Sequence, residues 1–187
     1  INRMTAFSSA AQIGYIYMGI GLSPITGVVA SMFHILMHAF TKPILFLSSA
    51  KLAEASGGSR KFHSLRGSAH RNRIAGFAFT IGALSMVGIP GFMGFVSKLL
   101  FASAALDARL KMFITFAALA ISTILNFMRT VLTIYSTNED ITVPCIVKSR
   151  QQKGFTFAAI CFVLINVLIG MHSQPVVSLI SQGLASL

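Results

Sequence analysis

Met32 to Leu47 reads MFHILMHAFTKPILFL. The stretch is apolar enough to lie in a membrane, yet it carries His34, His38 and Lys42. On an α-helix, at about 100° per residue, these three fall at roughly 0°, 40° and 80°, inside one narrow sector. They climb about 12 Å from His34 to Lys42, a large part of a hydrocarbon core about 30 Å thick. Charge inside a membrane is costly and usually functional, so three titratable groups in line imply a proton or ion path. Pro43 follows directly. It lacks an N–H and crowds the carbonyl of Ala39, so a kink or loosening of the helix is expected beside the lysine.

The rest of the chain agrees with a membrane setting. It is 55% hydrophobic and only 10% charged, where soluble domains carry about 25% charged residues. Long apolar runs, without the alternation of a membrane barrel, predict an all-α polytopic transmembrane bundle. At about 20 residues per crossing plus loops, 187 residues make a single membrane domain over 1–187 with about six spans. The net charge of +11 would raise nucleic-acid binding in a soluble protein. Here the basic residues gather at span ends and in two loops, where positive-inside topology and lipid headgroups account for them, and no nucleic-acid motif accompanies them. Cys145 and Cys161 have neither metal-ligand spacing nor a CxxC arrangement, and no secretory leader is visible.

In order, span 1 is expected over 4–22, with Ser8, Ser9 and Gln12 as a polar stripe, and Ser23-Pro24 as a turn. Span 2 covers 25–50 and contains the opening stretch. A basic loop over 51–73 holds Lys51, Arg60, Lys61, Arg66, Arg71 and Arg73 against Glu54 alone, which places it on the cytoplasmic side. Spans 3 and 4, at 74–89 and 91–106, are each short for a crossing. Between them Gly88, Pro90, Gly91 and Gly94 weaken the helix just before Lys98. Broken backbone beside an intramembrane lysine predicts a discontinuous helix around an ion site near Gly88–Gly94. Asp107, Arg109 and Lys111 mark an interfacial linker. Span 5 follows at 112–135, with Asn126 and Arg129 on one face. A polar loop over 136–153 contains Pro144, span 6 covers 154–171, and an apolar tail closes the chain over 176–187.

Lys42 sits about mid-span, too deep to snorkel with ease, and Lys98 follows the glycine–proline break, so both are expected to be functional. Neither has an acid in its own span, so any carboxylate partner comes from another segment or chain. His34 and His38, in series with Lys42, suit a proton relay better than a metal, because no third ligand is spaced for one. Ser8, Ser9 and Gln12 are possible supports for water or for helix packing, and Arg129 is an interface anchor or support. With four acids in all and no phosphate loop, nucleophile elbow or paired catalytic carboxylates, no self-contained active site is expected.

Three blocks carry a resemblance: AFSSAAQIGYIYMGIGL, FHILMHAFTKPILFL and LSMVGIPGFMGFVSK. In order, over about the first 100 residues, they resemble the antiporter-like subunits of NADH:quinone oxidoreductase (respiratory complex I), membrane-bound hydrogenases and multisubunit cation/proton antiporters. That family has two inverted five-helix repeats, each with a broken helix, and the chain resembles the second repeat plus the helix or two after it. The resemblance maps His38 and Lys42 onto the family's His-Ala-x-x-Lys block, with His34 one turn before. It maps Lys98 onto the broken-helix lysine, a glutamate in some members, at the exit end of the proton path. Asn2-Arg3 stands where the family often has Lys-Arg, and Pro43 where many members have a small residue. The first repeat, with its glutamate–lysine pair, would lie upstream of Ile1, so the chain is expected to represent half a channel that draws on a partner or a longer chain.

The resemblance therefore implies a proton- or cation-translocating membrane subunit with His34, His38, Lys42 and Lys98 as the relay. Its partners would be other membrane subunits and the bilayer, its cargo protons or Na⁺, and its location a prokaryotic inner membrane. No cofactor, metal or nucleic acid is implied. Competing expectations are a subunit of a cation/proton antiporter or hydrogenase, and a structural scaffold in which the polar residues only join helices. A quinone-site enzyme lacks any residue set that could be nominated.

Overall fold

The structure, a computed structural model, describes residues 1–22, 25–108, 110–136 and 149–186, except for the side chains of 107, 108, 110, 111 and 149–151. The turn expected at Ser23-Pro24, Arg109, the side chains of Asp107 and Lys111, and most of the polar loop with Pro144 and Cys145 lie outside the described residues. All regular structure among the described residues is helical: α1 (Asn2–Leu22), α2 (Thr26–Glu54), α3 (Ser68–Arg71), α4 (Arg73–Val87), α5 (Met93–Ala108), α6 (Leu110–Tyr135), α7 (Ser149–Met171) and α8 (Gln174–Ala185), with one turn of 3₁₀ helix at His63–Leu65. Three of these helices contain stretches long and apolar enough to cross a membrane: Thr26–Glu54, Met112–Tyr135 and Gln152–Met171. The chain is an all-α polytopic bundle and an integral membrane protein.

Contacts at the helix ends fix the direction of each helix. The Ile1 amino group donates to the Arg60 carbonyl at 3.0 Å. His70 Nε2 lies 3.0 Å from the Tyr135 carbonyl, and Gln152 Nε2 donates to Asn72 Oδ1 at 3.2 Å. The start of α1, the basic loop, the start of α4, the end of α6 and the start of α7 thus share one end of the bundle. Since α6 returns to that end, α4 and α5 together must have left it. At 1.5 Å per residue they are about 22 and 24 Å long, each too short to cross alone. The expectation of about six spans counts α4 and α5 separately; these two shorter apolar helices lie in series on either side of the break.

The break between α4 and α5 is built from its own sequence. Gly88 has φ 91° and closes α4, its N–H reaching the carbonyls of Leu84 and Ser85, while Ile89 N–H donates to the Leu84 carbonyl. This left-handed C-terminal cap suits glycine, and a proline shortly after it prevents the helix from resuming. Gly91, at φ 94°, turns the chain toward α5. Gly94 lies inside α5. A Cβ there would collide with the Ser85 carbonyl, so this glycine lets the two half-helices touch.

Pro43 behaves differently. Here α2 runs without interruption from Thr26 to Glu54, so a helix break at Pro43 is not part of the fold. One missing N–H removes one hydrogen bond of the ladder, and dense packing on both sides of the proline holds the rest. Ile44 and Leu45 are buried in the main apolar cluster, with Met37 two turns before and Phe79, Ala83 and Met86 of α4 in the same cluster. Around α2 stand α1, α4, α5, α7 and α8, which makes it the central helix of the bundle.

Candidate functional site

The sector predicted on α2 faces inward. His34 is fully buried and Lys42 nearly so, while His38 is half-buried. Two elements meet them. From α1, the Thr5 carbonyl accepts from Lys42 Nζ at 2.8 Å, and the Ser8 hydroxyl accepts a second, shorter bond from it. From α5, Ser97 Oγ lies 2.6 Å from His34 Nδ1 and shares a hydrogen bond with it. The His34 and His38 rings are 6.5 Å apart between centroids. His34 also packs against Tyr15 of α1 and Phe101 of α5, at 5.5 and 5.3 Å.

Lys98 belongs to the same assembly. Its Nζ donates to the Val87 carbonyl at 2.9 Å and lies 5.9 Å from the centre of the Tyr15 ring. Val87 is the last residue of α4, so the lysine caps a carbonyl that the break has deprived of its helical partner. Helix C-termini carry partial negative charge, which suits a cation there. Tyr15 is thus a common neighbour of Lys98 and His34, and His38 follows His34 toward Lys42 along α2. Among the described residues the single ion pair is Lys51 with Glu54, at 2.7 Å in the basic loop. Both intramembrane lysines are therefore held by neutral oxygen atoms. His34 Nε2 and His38 Nδ1 are buried and have no hydrogen-bond partner among the described residues.

The support residues separate. Ser8 touches Lys42. Ser9 donates back to the Thr5 carbonyl within its own helix. Gln12 is fully buried, and neither of its side-chain polar atoms is paired among the described residues. It borders a cavity of about 250 Å³ between α1 and α6, along with Ser8, Ser122, Thr123 and Asn126. Arg129 is exposed, its guanidinium 5.8 Å from the Phe62 ring at the basic-loop end. Cys161 is a half-buried free thiol.

One residue of the site was missed by sequence reasoning. Asn166, in the last third of α7, is buried. Its Oδ1 accepts from Ser85 Oγ at 3.0 Å and from the Met93 N–H at 3.4 Å. Its Nδ2 donates to Thr41 Oγ1 at 2.9 Å. One asparagine in an apolar run was the only sequence signal, and its partners lie 73 to 125 residues away.

Fold and site together define a class: a polytopic membrane protein whose ionisable side chains line the core of its bundle beside a discontinuous helix. Residues 1–126 match the family described as NADH:quinone oxidoreductase/Mrp antiporter, TM, and the chain belongs to it. The chain is 28% identical over 191 residues to NADH-quinone oxidoreductase subunit N 2 of Sorangium cellulosum, all of this chain against 37% of that protein. With NADH-quinone oxidoreductase subunit N of Desulforudis audaxviator it shares 33% over 124 residues, 66% of this chain and 24% of that one. The Mrp complex from Dietzia sp. has the same fold, with a TM-score of 0.77 at 24% identity over 94% of this chain and 40% of the matched one. The chain thus spans little more than a third of its curated relatives' length at most.

Proposed function

We propose that the chain is a proton-translocating membrane subunit of a complex I–like NADH:quinone oxidoreductase, with His34, His38, Lys42 and Lys98 as its relay. The observation that carries this reading is the meeting of these side chains, from α2 and α5, at one buried interface. Lysines held by a carbonyl and a hydroxyl, with no carboxylate to neutralise them among the described residues, hold a mobile proton rather than a fixed ion pair. Transfer between His34 and His38 crosses a gap that one bridging water spans. Ser8 joins Lys42 to the cavity beside Gln12, and Lys98 opens onto the helix break. The remainder of the path, the electron-transfer machinery and the neighbouring subunits belong to the larger assembly, in a prokaryotic cell membrane.

The test uses that assembled complex in sealed vesicles. Lys42→Ala or Lys98→Ala is expected to abolish proton translocation while the complex still assembles. Translocation that survives both changes overturns the relay. A second reading, a cation/proton antiporter subunit, is favoured by the family's description, which names both machines. Na⁺-dependent exchange that needs no redox substrate would select it. Under a scaffold reading, replacing His38 and Lys42 would lower assembly before it altered transport.

A further inference from the structure

We infer that Asn166 is a positioning residue, holding the helix break in register with the segment of α2 that bears Lys42. Four elements meet at its carboxamide. Ser85 is in the last turn of α4, Met93 opens α5, Thr41 precedes Lys42 in α2, and Asn166 itself belongs to α7. The amide is planar and its oxygen and nitrogen are fixed relative to each other. A side chain that accepts from both rims of the break and donates to α2 therefore sets the distance between them. Thr41 Oγ1 and Ser85 Oγ are also 3.5 Å apart, which closes a ring of buried hydrogen bonds. Such a ring is costly to open, because each buried group left unpaired loses its hydration without replacement.

A second contact places α7 against the break. Gly170 lies one turn after Asn166 on the same face. A Cβ at Gly170 would run into the backbone of Gly91 and Phe92. So α7 meets the break twice, once through a bare backbone and once through a three-way amide. This helix lies beyond the residues 1–126 that match the family. Packing glue alone would need neither a donor aimed at α2 nor an acceptor shared by both half-helices.

Only the transport part of the test rests on the proposed relay; the exchange part does not. Amide hydrogen exchange and proton translocation are measured on the assembled complex for Asn166→Leu, Thr41→Val and the double variant. Asn166→Leu is expected to speed exchange across residues 84–94 about tenfold, the factor that corresponds to ~1.4 kcal/mol, and to leave α1 unchanged. Thr41→Val removes the α2 arm and the longer Thr41–Ser85 contact but leaves the carboxamide oxygen on both rims, so exchange at the break rises less than in Asn166→Leu. Each single variant lowers translocation several-fold, and the double variant is no worse than Asn166→Leu alone, because both cut one link.

The inference is overturned by unchanged exchange at the break in Asn166→Leu, by faster exchange everywhere along the chain, or by transport losses that multiply in the double variant. Unchanged translocation in both single variants overturns it too. If Asn166→Leu fails to assemble, Asn166→Ser, polar but too short to bridge, carries the same expectations. Should Lys42→Ala and Lys98→Ala leave translocation intact, the relay falls and the exchange pattern alone decides the role of Asn166.

Discussion

Two prolines stand beside intramembrane lysines in this chain, and only one of them ends a helix. Pro43 follows Lys42 inside a helix of 29 residues that continues past it. Pro90 precedes Lys98 in a gap between two half-helices. The difference lies in the neighbours. Around Pro43 the chain offers residues with ordinary helical dihedrals, and packed apolar side chains hold the ladder. Around Pro90, Gly88 and Gly91 adopt positive φ, Lys98 caps the Val87 carbonyl, and Asn166 binds both rims. A proline removes one hydrogen bond; a break needs somewhere for the freed polar groups to go.

The lysines differ in the same way. Lys42 leans on another helix, α1, through Thr5 and Ser8, whereas Lys98 leans on the open end of the half-helix that precedes its own, α4. Substitutions can test how far that contrast reaches. The largest expected effect is at Gly94, where any side chain meets the Ser85 carbonyl. Gly94→Ala should cost about 3 kcal/mol, at the upper end for overpacking, and appear as a collapse in the yield of assembled complex. A normal yield would show that α4 and α5 separate without harm. Next comes Gly88→Ala. It forces a non-glycine residue to φ 91° and sets a Cβ 2.8 Å from Lys98 Cδ, and should cost about 1–2 kcal/mol, read as a lower Tm of the purified complex.

Ser8→Ala probes the other lysine. Lys42 keeps the Thr5 carbonyl and loses one of two partners, worth about 1 kcal/mol, so translocation should fall several-fold in sealed vesicles while Tm moves little. An unaltered rate would mean that the backbone carbonyl alone places Lys42. Smallest is Pro43→Ala. Since the helix already runs through this position, the change should shift stability by less than ~1 kcal/mol, upward if at all, and leave translocation within about twofold. A large loss of transport would restore the expectation of a functional loosening beside Lys42.

Much of this contrast was legible in the sequence, for identifiable reasons. The sector of His34, His38 and Lys42 follows from helical periodicity alone, and α2 buries it as the apolar flanks require. The break at 88–92 was legible because glycine and proline act locally. Other features were not. Hydropathy marks apolar segments but not their direction, which the end contacts at His70 and Gln152 supply. Pro43 carries the same local signal as Pro90, and only tertiary packing tells them apart. Ser8, Ser9 and Gln12 formed one polar stripe in the sequence. In the fold Ser9, about 100° round from Ser8, bonds back to its own helix, whereas Ser8 and Gln12, one turn apart, border the same cavity and only Ser8 reaches Lys42. Asn166 was invisible because its meaning comes from partners on three other elements.

The position of Asn166 and Gly170 has a consequence for exchanging parts between relatives. A chimera joined just after residue 126 would import the histidines, both lysines and the glycine–proline break complete, yet leave behind the helix that seats the break. Such a graft would carry every residue of the relay and none of its alignment. Modules in this chain are therefore defined by what braces the broken helix, and the smallest transplantable unit extends through Gly170.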